Sequence, residues 1–178
     1  MDRAAEADAV LAMVAAVADP SDAAVFRHVL GHFPTGVTAV TAHHEGKPVG
    51  MAVGSFASVS LDPPLVIWMC GRESNTWPAI AASGRFCVNV MTTAQQQVCA
   101  VMASKVEDKF DGISWRPSPA TGSPIIEGSL AWIDCEIEAV HDGGDHHIVL
   151  GRVIELEIDE SEADPLLFHK GSYGGFSG

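Results

Sequence analysis

The residues with the clearest chemical potential lie in the stretch CGRESNTWPAI, where an apolar strand ends and a short helix begins. A helix N-terminus presents free N–H groups and a partial positive charge, which favour a phosphate group. Arg72 would add a cation, and Ser74 and Thr76 would add side-chain donors. The alternative is that Ser74 or Asn75 only caps the helix and that Arg72 is solvated. The stretch is therefore a candidate phosphate site.

A second candidate is the glycine-rich stretch GMAVGSFASVS. Gly50 and Gly54, with small residues such as Ala52 and Ser55, would let the backbone approach a flat ligand. Glycine inside a strand marks either a bulge or a closely approaching group. A barrel corner and a ligand-binding strand therefore both stay open.

The third candidate is the turn in AVHDGGDHHIVLGRV. His146 lies on the turn side of a predicted hairpin, where a side chain can project over the mouth of a barrel. A histidine with a pKa of about 6.5 can donate a hydrogen bond or bind a charged ligand, although a solvated turn histidine is the alternative. Adjacent histidines on a strand point to opposite faces, so neither His146-His147 nor His43-His44 forms an obvious metal chelate. We expect no metal.

Composition narrows the class of protein. The chain has 178 residues, is 47% hydrophobic and carries a formal net charge of −13, so neither nucleic acid nor an anionic membrane surface is expected as the main partner. No run approaches the roughly 18 apolar residues of a membrane helix, and acidic residues stand where an export signal would be positive. Four widely spaced cysteines fit reduced thiols. We therefore expect a cytoplasmic protein.

The elements that must position these candidates follow from periodicity and turn residues. A helical N-terminal extension is predicted over residues 1–20, with the main domain over residues 21–178. The run PLVIWMC is predicted as a strand buried on both faces, and residues 106–128 as a loop-rich segment. Alternation on either side of residues 142–145 predicts a long antiparallel hairpin. We predict a mainly β fold, an antiparallel barrel with peripheral helices.

Six motifs then identify a family. FPTGVTAVT, SFASVSLDPPLVIW, SGRFCVNV, DKF, GDHHIVLGRV and PLLFHKGSYG, in this order, resemble the short-chain flavin reductases with the FMN-binding split-barrel fold. These proteins are typically the small components of two-component flavin-dependent monooxygenases. The resemblance runs over residues 26–173 and implies an antiparallel split β-barrel with peripheral helices. It also implies a homodimer.

The resemblance assigns roles to the candidate residues. The segment from Gly50 would line the flavin ring, the ESNT segment would hold the flavin phosphate, and His146 would position the nicotinamide, with proton supply as a second role. The expected cofactor-binding residues are Thr35, Met51, Ala52, Val53, Gly54, Ser55, Ser58, Val59, Ser60, Arg72, Ser74, Thr76, Lys109, Phe110 and Tyr173. Lys109 and Phe110 would close over the flavin, and Tyr173 would border the nicotinamide pocket.

Two positions depart from the family pattern. The family usually has threonine where Ala52 stands and asparagine or serine where Gly54 stands. If each missing hydrogen bond contributes about 0.5–1.5 kcal/mol, flavin would bind more weakly or in a shifted position. Such binding suits a flavin that comes and goes as a substrate, and a different natural ligand is the alternative.

The expected function is hydride transfer from NADH or NADPH to FMN or FAD, with the reduced flavin passing to a separate monooxygenase. The proteins and small molecules expected as partners are thus flavin and nicotinamide nucleotides and an oxygenase. An FMN-binding electron carrier without nicotinamide turnover is the alternative. A metal protein built on the four paired histidines is disfavoured by the strand geometry.

Overall fold

The computed structural model of the chain describes residues 19–159 and 162–176. The predicted N-terminal extension lies outside the described residues except for its last two positions. The chain divides into two units, Met1–Phe33 and Pro34–Gly178, and the predicted domain boundary after residue 20 stays a prediction. In the first unit helix α1 spans Ala23–Leu30. It begins after Asp22, whose carboxylate accepts the N–H groups of Ala24 at 2.8 Å and Val25 at 3.3 Å.

The second unit is built mainly from antiparallel strands. They are β1 (Thr35–Gly36), β2 (Thr38–His44), β3 (Lys47–Val53), β4 (Ala57–Leu61), β5 (Pro64–Gly71), β6 (Arg85–Val90), β7 (Trp115–Pro117), β8 (Pro124–Ile126), β9 (Ala131–Gly143), β10 (His146–Ile158), β11 (Leu166–His169) and β12 (Ser172–Gly175). Within residues 19–159 and 162–176 the strands form three sheets, with the orders β3-β2-β6-β9-β10-β5-β4, β1-β11-β12 and β7-β8. The prediction of a mainly β, antiparallel fold is confirmed.

Helices in this unit are short and peripheral. Helix α2 spans Trp77–Ser83, and a 3₁₀ turn (Thr93–Gln95) leads into helix α3, which spans Gln96–Ala103. Gly84 ends α2 in a left-handed conformation, as expected for a glycine after a helix. Among the helices of the described ranges, none combines the length and the apolar character that a membrane crossing requires.

The predicted long hairpin is present as β9 and β10, thirteen residues each. The pairing runs from Ile158 opposite Ala131 to His146 opposite Gly143. On its other side the turn end of β10 pairs with β5, where His146 lies opposite Gly71. The hairpin therefore carries its histidine turn to the end of strand β5.

The core lies on both faces of strand β2. Val40 packs with Trp68 and Phe86 on one face, and Ala39 packs with Met102 on the other. These five residues are fully buried. Helix α3, which contributes Met102, is thereby fixed against the β2–β3 hairpin.

Strand β5 is not buried on both faces, and that prediction was wrong. Trp68 and Cys70 are buried, whereas Met69 between them is 40% exposed. The second face of β5 carries apolar side chains that are only partly covered, so an unbroken apolar run did not mean double burial.

The segment predicted to be loop-rich contains the small β7–β8 sheet. The buried side chain of Asn89 holds it, since its amide donates to the carbonyl of Pro124 at 3.2 Å and accepts from the N–H of Ile126 at 2.7 Å. Thr41 donates to the same Pro124 carbonyl. Because these partners lie 35 or more positions away, no local period marks this sheet.

Candidate active site

A cleft of about 500 Å³ lies between three segments of the second unit. One wall is strand β3, another is the junction between β5 and α2, and the third is the end of α3 with the loop that follows. The lining residues are Pro48, Val49, Gly50, Met51, Ala52, Glu73, Ser74, Asn75, Thr76, Ala79, Met102, Ala103, Ser104, Lys105, Val106, Glu107 and Lys109. Two of the three candidate stretches thus meet at one place.

Gly50 lets helix α3 approach strand β3 closely. A Cβ atom there would lie 2.9 Å from the sulfur of Met102, closer than real contacts allow, and 3.3 Å from the Cγ2 of Thr41, a tight contact. The space that Gly50 leaves is therefore filled by the core of the protein itself. The absence of a side chain at Gly50 therefore lets helix α3 pack against strand β3, which brings two walls of the cleft together.

Lys109 joins these same two walls. Its ammonium nitrogen donates to the carbonyl of Gly50 at 3.1 Å and to that of Met102, in the last turn of α3, at 2.8 Å. Burial lowers the pKa of Lys109 below its usual 10.5. Both of these acceptors are neutral, and no carboxylate in the described part of the chain is within ion-pair distance of Lys109. Its charge is therefore available to an anionic ligand.

The β5–α2 junction supplies hydroxyl and amide groups. The hydroxyl oxygen of Ser74 accepts the N–H groups of Thr76 and Trp77, both at 3.3 Å. The N-cap of α2 is Thr76, which makes no side-chain cap hydrogen bond, so the prediction that Ser74 or Asn75 caps this helix was wrong. Because Ser74, Asn75 and Thr76 also line the cleft, the hydrogen bonds of Ser74 at the helix start are compatible with ligand contact.

Arg72 is not among the residues that line the cleft. Its Nε donates to the carbonyl of Gly144 at 2.6 Å, and its terminal nitrogen lies 2.6 Å from the carboxylate of Asp142. The guanidinium is thus engaged with the β9–β10 turn. The cations of the cleft lining are Lys105 and Lys109.

His146 lies at the end of β5 and is about half exposed. Its Nδ1 is 2.7 Å from the carboxylate of Asp145. Across the ladder it faces Gly71, two positions before Glu73 of the cleft lining. The turn therefore holds a histidine next to one wall of the cleft, although His146 does not itself line the cleft.

Tyr173 borders a separate cavity of about 350 Å³. That cavity is lined by Pro34, Leu167, His169, Ser172, Tyr173, Gly174 and Gly175. The hydroxyl of Tyr173 lies 3.3 Å from the sulfur of Cys99 on helix α3. This contact, together with burial, raises the pKa of Tyr173 to about 12.

The other predicted residues lie outside the cleft lining. Ser55 donates to the carbonyl of Met69 at 3.1 Å and accepts its N–H at 2.9 Å, which ties the chain after β3 to β5. Phe110 is buried, with its ring 6.0 Å from that of Trp115. The rest are Thr35 on β1, Val53 and Gly54 at the end of β3, and Ser58, Val59 and Ser60 on the edge strand β4.

Of the predicted flavin-binding residues, the structure gathers Met51, Ala52, Ser74, Thr76 and Lys109 in one cleft. Sequence reasoning missed the contribution of residues 102–107. The available signal was position, because this segment covers the end of the helix predicted over residues 92–105 and directly precedes the DKF motif.

Comparison with known proteins identifies the family. Residues 30–177 match the flavin reductase like domain, and the chain belongs to this family. It is 57% identical over 153 residues to a flavin reductase of Pseudomonas putida, covering 85% of this chain and 89% of that protein. It is 55% identical over 155 residues to the reductase subunit HsaB of a flavin-dependent monooxygenase of Mycobacterium tuberculosis, covering 86% and 82%. The resemblance found in the motifs is confirmed.

A solved structure shares the fold. The NADH:FAD oxidoreductase of Streptomyces globisporus, in complex with NAD and FAD fragments, superimposes with a TM-score of 0.85 at 36% identity. The match covers 92% of this chain and 98% of that one. The likeness therefore extends over nearly the whole of both chains.

The cleft fits a flavin nucleotide. A flavin combines a flat, largely apolar ring with an anionic phosphate tail. Val49, Met51 and Ala52 supply apolar surface to the cleft, while the hydroxyl groups of Ser74 and Thr76 and the ammonium of Lys109 supply polar groups. The combination of apolar walls with a few convergent polar groups is typical of cofactor sites.

Proposed function

We propose that this chain is an NADH-dependent flavin reductase that supplies reduced FMN or FAD to a separate monooxygenase. The observation that carries the proposal is the cleft between β3, the β5–α2 junction and the end of α3, with the cation Lys109 on its wall, held by two neutral carbonyl groups. The cleft belongs to a fold shared with an oxidoreductase solved with NAD and FAD fragments.

In this proposal the flavin lies along strand β3. Met51 and Ala52 contact the ring, and Ser74, Asn75 and Thr76 donate to the phosphate. Lys109 attracts the negative charge, and its two hydrogen bonds keep the ammonium in place. A charge that is positioned in advance does not have to be ordered when the ligand binds.

The protein contributes orientation rather than reactive groups. When bound, the flavin accepts a hydride and the reduced nicotinamide donates it. The contact between Nδ1 of His146 and Asp145 fixes the imidazole ring, so that Nε2 is the nitrogen presented to the nicotinamide. His146 is thus assigned to nicotinamide positioning.

The flavin is proposed to act as an exchangeable substrate. At Ala52, which lines the cleft, the chain lacks a side chain that could donate a hydrogen bond, which weakens retention of the flavin. Release of reduced flavin is required if a separate oxygenase is to use it. The relative HsaB is named as the reductase subunit of such a monooxygenase, which supports an oxygenase partner.

The cytoplasm is the proposed compartment and a homodimer the proposed assembly. Cys70, Cys87, Cys99 and Cys135 are all free and buried, a state that fits a reducing environment. The homodimer follows from the family resemblance alone.

The test is oxidation of NADH and of NADPH by the purified protein, followed by absorbance, with FMN, FAD and riboflavin supplied in turn. We expect NADH oxidation that requires added flavin. A protein that is purified yellow, retains its flavin and oxidises neither nicotinamide would overturn the proposal and favour an electron carrier.

A further inference from the structure

Arg72 makes three contacts with the tip of the β9–β10 hairpin. Its backbone N–H donates to the carbonyl of Asp145 at 3.0 Å, and its Nε donates to the carbonyl of Gly144 at 2.6 Å. Its terminal nitrogen lies 2.6 Å from the carboxylate of Asp142. Arg72, which directly follows β5, therefore contacts three of the four residues that precede His146.

The carboxylate of Asp142 has two donors. The oxygen that meets Arg72 also accepts the N–H of Gly144 at 3.0 Å. The hydrogen bond from Arg72 and that from Gly144 lower the pKa of Asp142. Arginine suits this position because its planar guanidinium presents several donors in a rigid fork, so it can bind a carboxylate and a carbonyl at once.

A second contact holds the tip of the β9–β10 hairpin against the start of helix α2. The ring of His147 packs 5.2 Å from that of Trp77, the first residue of helix α2. Trp77 in turn packs edge-on against the fully buried Trp68 at 5.8 Å. The tip is thus anchored on Arg72 and on Trp77, and the residues between these two anchors, 73–76, line the cleft.

We infer that Arg72 is a positioning residue that holds His146 at the cleft-lining segment, and not a ligand of the flavin phosphate. The inference rests on the proposed function. The guanidinium of Arg72 is occupied by Asp142 and Gly144, outside the cleft lining. His146 follows Gly144 by two positions and Asp142 by four, so these contacts hold the segment that carries His146.

The test compares Arg72→Gln with the unsubstituted chain. We expect kcat/KM for NADH to fall about tenfold or more, because small displacements of a positioning group are costly. The dissociation constant for oxidised flavin should change less than about twofold. His146→Ala removes the positioned side chain itself, so its loss of kcat/KM for NADH is the largest that Arg72→Gln can cause through His146. Hydrogen–deuterium exchange at residues 141–147 should become faster in Arg72→Gln.

Arg152→Gln is the matched control. Arg152 forms a two-pronged pair with Glu138 at 2.8 and 2.8 Å on the same hairpin, at a similar exposure. The substitution Arg152→Gln removes an ion pair of similar exposure that does not contact the turn. The kcat/KM for NADH and the hydrogen–deuterium exchange at the hairpin tip should therefore stay as in the unsubstituted chain.

Two results would overturn the inference. An Arg72→Gln variant that behaves like Arg152→Gln has no positioning role. A variant that loses flavin affinity while keeping its KM for NADH would make Arg72 a phosphate ligand. Absence of turnover in the unsubstituted chain is a different outcome, since it refutes the proposed function itself.

Discussion

Lys109 Nζ donates to the carbonyl oxygen of Gly50 at 3.1 Å, which ties the loop after helix α3 to the middle of strand β3. The bond crosses from one wall of the cleft to another. Because Gly50 has no side chain, Met102 can pack against it, and the same nitrogen reaches the carbonyl of Met102 at 2.8 Å. One lysine therefore shapes the cleft and gives it charge.

Replacing Lys109 by methionine should weaken flavin binding. A hydrogen bond to a charged group contributes about 1.5–3 kcal/mol, so we expect the dissociation constant to rise about tenfold or more. Titration of flavin fluorescence measures it. Lys47→Met is the control, because Lys47 is exposed at the start of β3 and absent from the cleft lining. Equal effects of the two substitutions would show that only net charge matters.

Flavin affinity should fall as the pH rises toward 10.5. Burial lowers the pKa of Lys109 below that value, so the folded protein loses this proton at a lower pH than the unfolded chain does. Between the two pKa values the unfolded state binds more protons, and this group's contribution to stability therefore rises with pH. Affinity moves in the opposite direction because only the protonated form attracts the phosphate.

The measurement is flavin titration from neutral pH to 10.5, in the unsubstituted chain and in Lys109→Met. Ionisation of the flavin itself affects both proteins, so the difference between the two curves isolates Lys109. A constant difference across the range would exclude this lysine as the titrating group.

Local sequence patterns predicted the parts of the site that depend on neighbouring residues. The hairpin that presents His146 rests on turn chemistry and on alternation along the chain, and it is present. The short helix after Ser74 is also present, although its N-cap is Thr76 and not Ser74 or Asn75. Strand β3 was predicted as the glycine-rich return strand of a hairpin that turns at residues 44–47, and it pairs with β2. These features need no knowledge of distant contacts.

The direction of long side chains could not be predicted in this way. Arg72 lies among donors that suit a phosphate, yet its guanidinium meets Asp142, which is 70 positions away in sequence. Phe110 adjoins a lysine of the cleft but is buried against Trp115. Which partner such a side chain finds depends on strand order, and strand order is set by pairings between distant segments.

Gly54→Ala should destabilise the fold through Thr35. A Cβ atom at position 54 would lie 3.1 Å from the hydroxyl oxygen of Thr35, and a β-branched side chain rotates little about χ1. Crowding of this kind costs about 1 kcal/mol or more. Urea unfolding should show this loss for Gly54→Ala alone but not when Thr35→Ala accompanies it.

Gly36→Ala is the matched control for the comparison of Gly54→Ala with and without Thr35→Ala. In the described part of the chain, no heavy atom beyond the two neighbouring residues lies within 4 Å of the Cβ position at Gly36, so alanine should leave stability unchanged or raise it slightly by restricting the unfolded chain. If Gly54→Ala and Gly36→Ala lower the free energy of unfolding equally, the loss at position 54 comes from backbone freedom and not from contact with Thr35.

Cys99→Ala should lower the pKa of Tyr173. The contact with Cys99 is the largest cause of the rise to about 12, and burial is the second, so removing the sulfur should move the pKa toward 10. Tyr173 is the only tyrosine in the chain, so tyrosinate absorbance in an alkaline titration reports on this residue alone. Cys70→Ala is the control, because Cys70 lies in the buried cluster with Trp68, while Tyr173 packs against the other cluster, which contains Cys99. A shift of equal size in both variants would reflect loosening of the fold instead of loss of the Cys99 contact.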